Sequence, residues 1–213
     1  YYEINRDLAI ECATKAKQDA VSQFVFLSSM SVYGLCSGYI NSDVVPHPMT
    51  NYGKSKLEAE ERIKALASPS FAVAILRPPM IYGKGSKGNY PTLSKYAQKL
   101  PFFPDVKNER SMLYIENLCE FVRLMVENEE NGMFWPQNAE YSNTSEMVKM
   151  IAEAHGKRIR LVKGFGWLLK ILGHISGKVN KAFGNLTYEA DISVYRNRYA
   201  CVTLAESIRY TEI

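Results

Sequence analysis

The sequence has no C-x-x-C pair, no histidines at metal-ligand spacing, no run of like charge and no apolar stretch long enough to cross a bilayer. Cys12, Cys36, Cys119 and Cys201 stand far apart, and His47, His155 and His174 share no ligand spacing, so neither a metal site nor a disulfide scaffold is expected. That usage suits reduced thiols in the cytoplasm. The formal charge is only +4, and no basic run is interleaved with aromatics, which speaks against nucleic acid and leaves room for a small acidic ligand. The most apolar stretch, Phe165 to Ile175, is broken by Lys170 and glycines, and is read as an amphipathic helix packed on the domain rather than on a membrane. The opening Tyr-Tyr-Glu-Ile-Asn-Arg-Asp lacks an initiator Met, a basic n-region and an apolar h-region, so it predicts neither a signal peptide nor a natural start.

What the chain does have is the makeup of a folded domain. With 213 residues, 46% of them hydrophobic and 23% charged, it is long enough for one α/β domain with a small appendage and a large core. Residues 5–18 carry helical periodicity, and Phe24-Val-Phe-Leu-Ser28 is the continuous apolar run of a buried parallel strand. A loop rich in Gly, Ser and Pro is expected up to about residue 50. Tyr52 to Ala67 is helical in spacing, and Phe71 to Leu76 is a second buried strand closed by Pro78-Pro79. This β-α-β order predicts a parallel sheet with covering helices.

Beyond Gly83 the pattern predicts a Gly/Lys loop, a helix near 91–99, a strand at Met112–Ile115, a helix at 116–128 and a strand at Met133–Trp135. A helix from about Thr144 to His155 follows, with Thr144 or Ser145 as cap and Gly156 as stop, and then a strand-like alternation over 158–163. The tail beyond 178 is weakly periodic and gives no firm element.

The most specific chemistry is in Tyr52-Gly-Lys-Ser-Lys56. Four residues make one helical turn, so Tyr52 and Lys56 share a face, and an ammonium beside a phenol favours the phenolate, which makes tyrosine usable as a general base and acid. A solvated i,i+4 contact is the plainer alternative. Ser28-Ser-Met-Ser-Val-Tyr-Gly34 strengthens the chemical reading, because it directly follows the first strand and ligands bind outside the carboxyl ends of strands in open α/β sheets.

Three segments, Phe-Leu-Ser-Ser-Met-Ser-Val-Tyr-Gly (26–34), Tyr-Gly-Lys-Ser-Lys-Leu-Glu-Ala-Glu (52–60) and Leu-Arg-Pro-Pro-Met-Ile-Tyr-Gly (76–83), resemble in order and spacing the extended short-chain dehydrogenase/reductases. The nearest subgroup in appearance is the bacterial UDP-glucose 4-epimerase-like proteins of surface-polysaccharide pathways, within the NAD-dependent epimerase/dehydratase family. Tyr-Tyr-Glu-Ile-Asn5 and Arg110-Ser-Met-Leu-Tyr-Ile-Glu-Asn-Leu118 resemble further family elements, so the likeness runs from residue 1 to about 150.

The resemblance implies an α/β fold: a partial NAD-binding Rossmann domain, a doubly wound parallel sheet, formed by 1–83 and 111–136. It also implies a small C-terminal α+β substrate part formed by 84–110 and 137–213. It implies Tyr52 as catalytic acid/base, Lys56 as the group that favours its phenolate and holds the nicotinamide ribose, and Ser29 as the hydrogen-bonding member beside the sugar 4-hydroxyl. Asn5, Ser28, Tyr52, Lys56 and Pro79 would line the NAD site, and Ser29, Asn89 and Arg110 the UDP-sugar site. Arg110 suits a diphosphate, since guanidinium pairs bidentately with phosphate oxygens, an exposed surface arginine being the alternative. Asn89 is equally readable as a helix-start asparagine before Pro91.

Two departures bear on the reaction. The family often has Asn where this chain has Met80, which removes one polar contact to substrate. A 4,6-dehydratase would present Asp-Glu at 30 and 31, where Met30 and Ser31 stand, so oxidation and reduction at C4 is favoured over dehydration.

Gly83-Lys-Gly85-Ser-Lys-Gly88 fits G-x-G-x-x-G and has Asp105 downstream. Its context argues against a dinucleotide fingerprint, because Pro78-Pro79 interrupts the preceding strand and no apolar parallel strand is expected to lead to Asp105. The family's own fingerprint and ribose-reading acid would precede residue 1, and an N-terminal part of the Rossmann sheet is expected to be missing. The expected function is therefore NAD-dependent UDP-hexose 4-epimerisation, with a nucleotide-sugar 4-ketoreductase or a non-catalytic binding module as alternatives. No nucleic acid or membrane partner is expected, and a homodimer is in keeping with the family.

Overall fold

The computed structural model describes residues 1–164, 183–196 and 198–213. The stretch read as an amphipathic helix, Phe165 to Ile175, lies outside them.

The expected β-α-β order is present. Strands β1 (Gln23–Leu27), β3 (Ala72–Leu76) and β7 (Gly132–Phe134) form a parallel sheet with β3 in the middle, where Val25 pairs with Ala74 and Leu76 with Phe134. A central parallel strand is covered on both faces, which is why Val73 to Leu76 is continuously buried and shows no polar alternation. On one face, Val73 and Ile75 join Phe26 under α1 (Ala9–Gln18) and α2 (Asn51–Lys64), through Ala13, Ala59 and Ile63. On the other, Ala74 and Leu76 meet Leu118, Phe121, Leu124 and Met125 of α4 (Ile115–Glu127). Truncating fully buried Ile63 to Ala would cost about 2–5 kcal/mol by leaving a cavity between α2 and the sheet.

Three further two-stranded parallel pairs complete the described sheets. They are β2 (Gly38–Ile40) with β9 (Leu186–Tyr188), β4 (Met80–Tyr82) with β6 (Met112–Tyr114), and β5 (Phe102–Pro104) with β8 (Arg160–Val162). A second core packs Tyr82, Tyr90, Met112 and Tyr114 against α5 (Thr144–Ala154) and α6 (Leu204–Glu212). The helix α3 (Tyr90–Lys99) borders it.

Several expectations are corrected. The first helix starts earlier than residue 5, with a π-helical run at Glu3–Leu8. The loop before residue 50 contains a 3-10 turn at Met30–Tyr33 and the short strand β2. Pro78-Pro79 follows β3, yet the chain is extended again at Met80, directly after Pro79, as β4 in another sheet. Neither Thr144 nor Ser145 caps α5. Asn143 does, its Oδ1 accepting from the backbone N–H groups of Ser145 and Glu146 at 2.9 and 3.0 Å. The weakly periodic tail folds into β9 and into α6, which begins with a Thr203/Glu206 capping box. No helix among the described residues is long and apolar enough to cross a membrane.

Candidate active site

The carboxyl end of β1 gathers most of the singled-out residues. The Ser28 N–H donates to the Leu76 carbonyl at 2.7 Å and the Met30 N–H to the Pro78 carbonyl at 2.9 Å, so the serine turn lies against the segment leaving β3. Ser29 is the N-cap of the Met30–Tyr33 turn, its Oγ accepting from the Ser31 N–H at 3.1 Å. Ser28 is buried, and its Oγ has no hydrogen-bond partner among the described residues. Pro79 is buried beside this turn.

Helix α2 begins opposite the serines. Thr50 caps it, its Oγ1 accepting from the Gly53 N–H at 3.1 Å. Tyr52 and Lys56 follow in the first turns, both half-buried. The Lys56 ammonium donates to the carbonyl oxygen of Leu27 at 2.8 Å and lies 4.7 Å above the Phe26 ring, which fastens the helix to the end of β1. Burial pushes the Lys56 pKa below the ordinary lysine value, and the carboxylate of Glu60 opposes the shift. An ammonium carries three donors, so the bond to Leu27 leaves two for other acceptors. The Tyr52 ring meets that of Tyr1 edge-on at 5.9 Å. Asn5 is half-buried one turn later, its N–H donating to the Tyr1 carbonyl at 2.8 Å. Arg6 bridges to Glu58 at 2.8 Å, which holds this first helical segment against α2.

Arg110 and Asn89 stand elsewhere. Arg110 is half-buried rather than a free surface arginine: its backbone pairs with Ser142, and Nη1 donates to the Gly184 carbonyl at 2.9 Å. Burial holds its pKa below the usual arginine value, with Cys36 opposing. Asn89 is exposed at the start of α3 and makes no side-chain cap bond there.

Residues 83–87 of the Gly83–Gly88 loop line a cavity of about 360 Å³ together with Ile81, Tyr82 and Ile115. A strand does lead from α3 to Asp105, contrary to expectation. What denies this loop a β-α-β dinucleotide unit is that β4 and β5 belong to different sheets. Residues that pattern reading missed lie just beneath the site. Glu60, Arg77 and Tyr33 form a buried hydrogen-bonded group, and buried Asn117 links the 110–118 element to Asn138 and Val202. Only the burial of charged and amide side chains exposes them, since their partners are distant in sequence.

A parallel sheet carrying serines at a strand end, with a Tyr/Lys helix bonded across to that end, defines an α/β domain of the short-chain dehydrogenase/reductase type. The chain belongs to the NAD dependent epimerase/dehydratase family, whose sequence profile matches residues 1–134. It is 32% identical to the UDP-glucose 4-epimerase of Vibrio cholerae over 205 residues, 91% of this chain and 62% of that one. It is 27% identical to the N-acetyl-alpha-D-glucosaminyl-diphospho-ditrans,octacis-undecaprenol 4-epimerase of Escherichia coli O157:H7, covering 84% of this chain and 58% of that one. The chain thus spans about three fifths of these relatives' length. The crystal structure of UDP-glucuronic acid 4-epimerase from Bacillus cereus in complex with NAD superposes on all of this chain and on 67% of its own, with TM-score 0.74 at 19% identity.

Proposed function

We propose that the protein carrying this chain is an NAD-dependent 4-epimerase of a UDP-hexose, working in the cytoplasm in surface-polysaccharide synthesis. The observation that carries the reading is the Lys56–Leu27 bond, which holds the Tyr52 helix at the carboxyl end of β1 beside the serine turn. The Vibrio cholerae relative supports the substrate class, the Escherichia coli relative the polysaccharide role, and four exposed free thiols a reducing compartment.

The residues fit a dinucleotide. The unpaired buried hydroxyl of Ser28 and the two remaining donors of Lys56 offer polar contacts, and buried Pro79 offers an apolar wall. NAD, when bound, supplies the acceptor and donor of the C4 hydride. The chain's own residues handle the proton and the orientation. Tyr52 takes the proton of the sugar 4-hydroxyl and later returns it, Ser29 hydrogen-bonds the C4 oxygen, and the Lys56 cation favours the Tyr52 phenolate. Arg110 pairs with the diphosphate, and Asn89 borders the nucleotide. Rotation of the 4-keto sugar between the two proton transfers would invert C4.

Tyr52→Phe tests this directly. Loss of about 10²–10⁴-fold in kcat for UDP-hexose interconversion is expected, with UDP binding retained. Unchanged kcat would overturn the assignment. Absorbance of reduced nicotinamide separates the alternatives: an epimerase shows no net change, whereas a 4-ketoreductase consumes the reduced cofactor in proportion to product. A binding module would bind UDP-sugar without turnover.

A further inference from the structure

Tyr52, Lys56 and Glu60 are spaced by four residues on α2 and therefore share one helix face. Along that face burial deepens from half-buried Tyr52 and Lys56 to Glu60, which is only 3% exposed. A carboxylate buried to that degree must be paired. Its partner is Arg77, the residue after β3, whose Nε donates to Oε1 at 3.0 Å and to Oε2 at 3.2 Å while Nη2 donates to Oε2 at 2.5 Å. The other arm of Arg77, Nη1, donates to the Tyr33 hydroxyl at 2.9 Å. Trp135 Nε1 donates to the same oxygen at 2.7 Å, and the Tyr188 hydroxyl donates to the Arg77 carbonyl at 2.7 Å.

Each member belongs to a different piece of the candidate site. Tyr33 closes the turn that Ser29 opens, Glu60 is on the Tyr52/Lys56 helix, and Arg77 leads into Pro78-Pro79. We propose that Glu60, held by Arg77, which Tyr33 holds in turn, is a positioning residue that sets α2 against the serine turn and places a fixed negative charge one helical turn behind Lys56. Fold stability alone does not call for such a pair, because replacing a buried ion pair by apolar side chains is often neutral or stabilising. Burial disfavours the Lys56 ammonium, and the Glu60 carboxylate one helical turn away opposes that shift. The other groups packed near Glu60 are Arg77, Tyr33 and Tyr188, and those packed on Lys56 are the Leu27 carbonyl and the Phe26 ring.

The inference rests on the role proposed above for Lys56, and its test is independent of turnover. In the 213-residue chain with ¹³Cε-labelled lysine, the Lys56 resonance is assigned by its loss in Lys56→Arg and then titrated. In Glu60→Gln the Lys56 midpoint is expected to fall. The double variant Glu60→Met/Arg77→Met removes both charges and guards against misfolding from an unpaired Arg77. It is expected to melt no lower than the parent and still show a lowered Lys56 midpoint. An unchanged midpoint in both folded variants overturns the inference. In the active enzyme, Glu60→Gln should move the alkaline limb of the kcat profile to lower pH with KM little changed, and Glu60→Asp should restore part of it. A lowered midpoint alongside a fully active Tyr52→Phe would overturn the proposed function but keep the inference, and an unchanged midpoint with inactive Tyr52→Phe would do the reverse.

Discussion

A methyl group on residue 53 would sit 2.5 Å from the carbonyl oxygen of Ser31 and 3.0 Å from the Pro48 Cβ. Gly53 therefore lets the first turn of α2 close onto the serine turn. Gly53→Ala sets two effects against each other. Helix propensity favours Ala by about 1 kcal/mol, while a clash with two backbone-anchored neighbours costs about 1–3 kcal/mol. The obstructing atom is a backbone carbonyl, which cannot swing aside as a side chain would, so the clash wins. Denaturant unfolding should show a net loss of stability. A Gly53→Ala chain as stable as the parent would mean that α2 does not approach the turn this closely.

Asn143 carries the start of α5 and the loop before it at once. Its Oδ1 satisfies two helix-end N–H groups, while Nδ2 donates to the carbonyls of Val106 and Asn108 at 2.7 and 3.1 Å. Asn143→Ala is expected to cost about 2–3 kcal/mol, more than an ordinary cap, because buried loop carbonyls lose a donor as well. Asn143→Asp keeps the accepting oxygen and loses the donor, so its thermal or chemical midpoint should fall between the two.

These cases mark where sequence reading succeeds and where it stops. β3 is legible because a five-residue apolar run between a helical segment and Pro78-Pro79 admits little else, and α2 is legible from its spacing. The three-residue strands β2, β4 and β5 are too short to show a period, and Pro78-Pro79 reads as a terminator because nothing local shows that β6 pairs with the residues beyond it. The Tyr52/Lys56 pair follows from one helical turn. The Leu27 carbonyl that receives Lys56, and the Arg77 that receives Glu60 from 17 residues away, depend on how α2 lies across the sheet. Asn143, Thr144 and Ser145 are all competent cappers of α5, and only the loop carbonyls of Val106 and Asn108 select the asparagine.

Arg110 tests the substrate side separately from the chemistry. Nη1 is engaged by Gly184, and a guanidinium has five N–H donors in all, so four remain for phosphate oxygens. Arg110→Ala is expected to weaken UDP binding by about 10–100-fold in calorimetric titration, corresponding to one or two charge-assisted hydrogen bonds. Arg110→Lys should recover only part, since a point charge cannot reproduce the planar fork. Equal UDP affinity in all three chains would move the diphosphate site away from Arg110.

Alkaline pH should unfold the chain through its buried tyrosines. Burial pushes the Tyr82 pKa up to about 12, against hydrogen bonds with Ser207 and Asn138 that pull it down, and the Tyr188 pKa is raised well above the ordinary value, again by burial first. A phenol in the unfolded chain titrates near 10, so above that pH the folded chain holds more protons than the unfolded one. Stability is then present in full below about pH 10 and is lost as pH rises toward 12, by about 1.4 kcal/mol for each pH unit that a fully buried phenol is held up. The tyrosinate absorbance of Tyr82 and Tyr188 should therefore appear cooperatively with loss of helical circular dichroism. Tyr82→Phe would lose the bonds to Ser207 and Asn138 and so be less stable at neutral pH, yet its stability should decline less steeply between pH 10 and 12. An alkaline slope as steep as the parent's would show that Tyr82 does not carry the linkage.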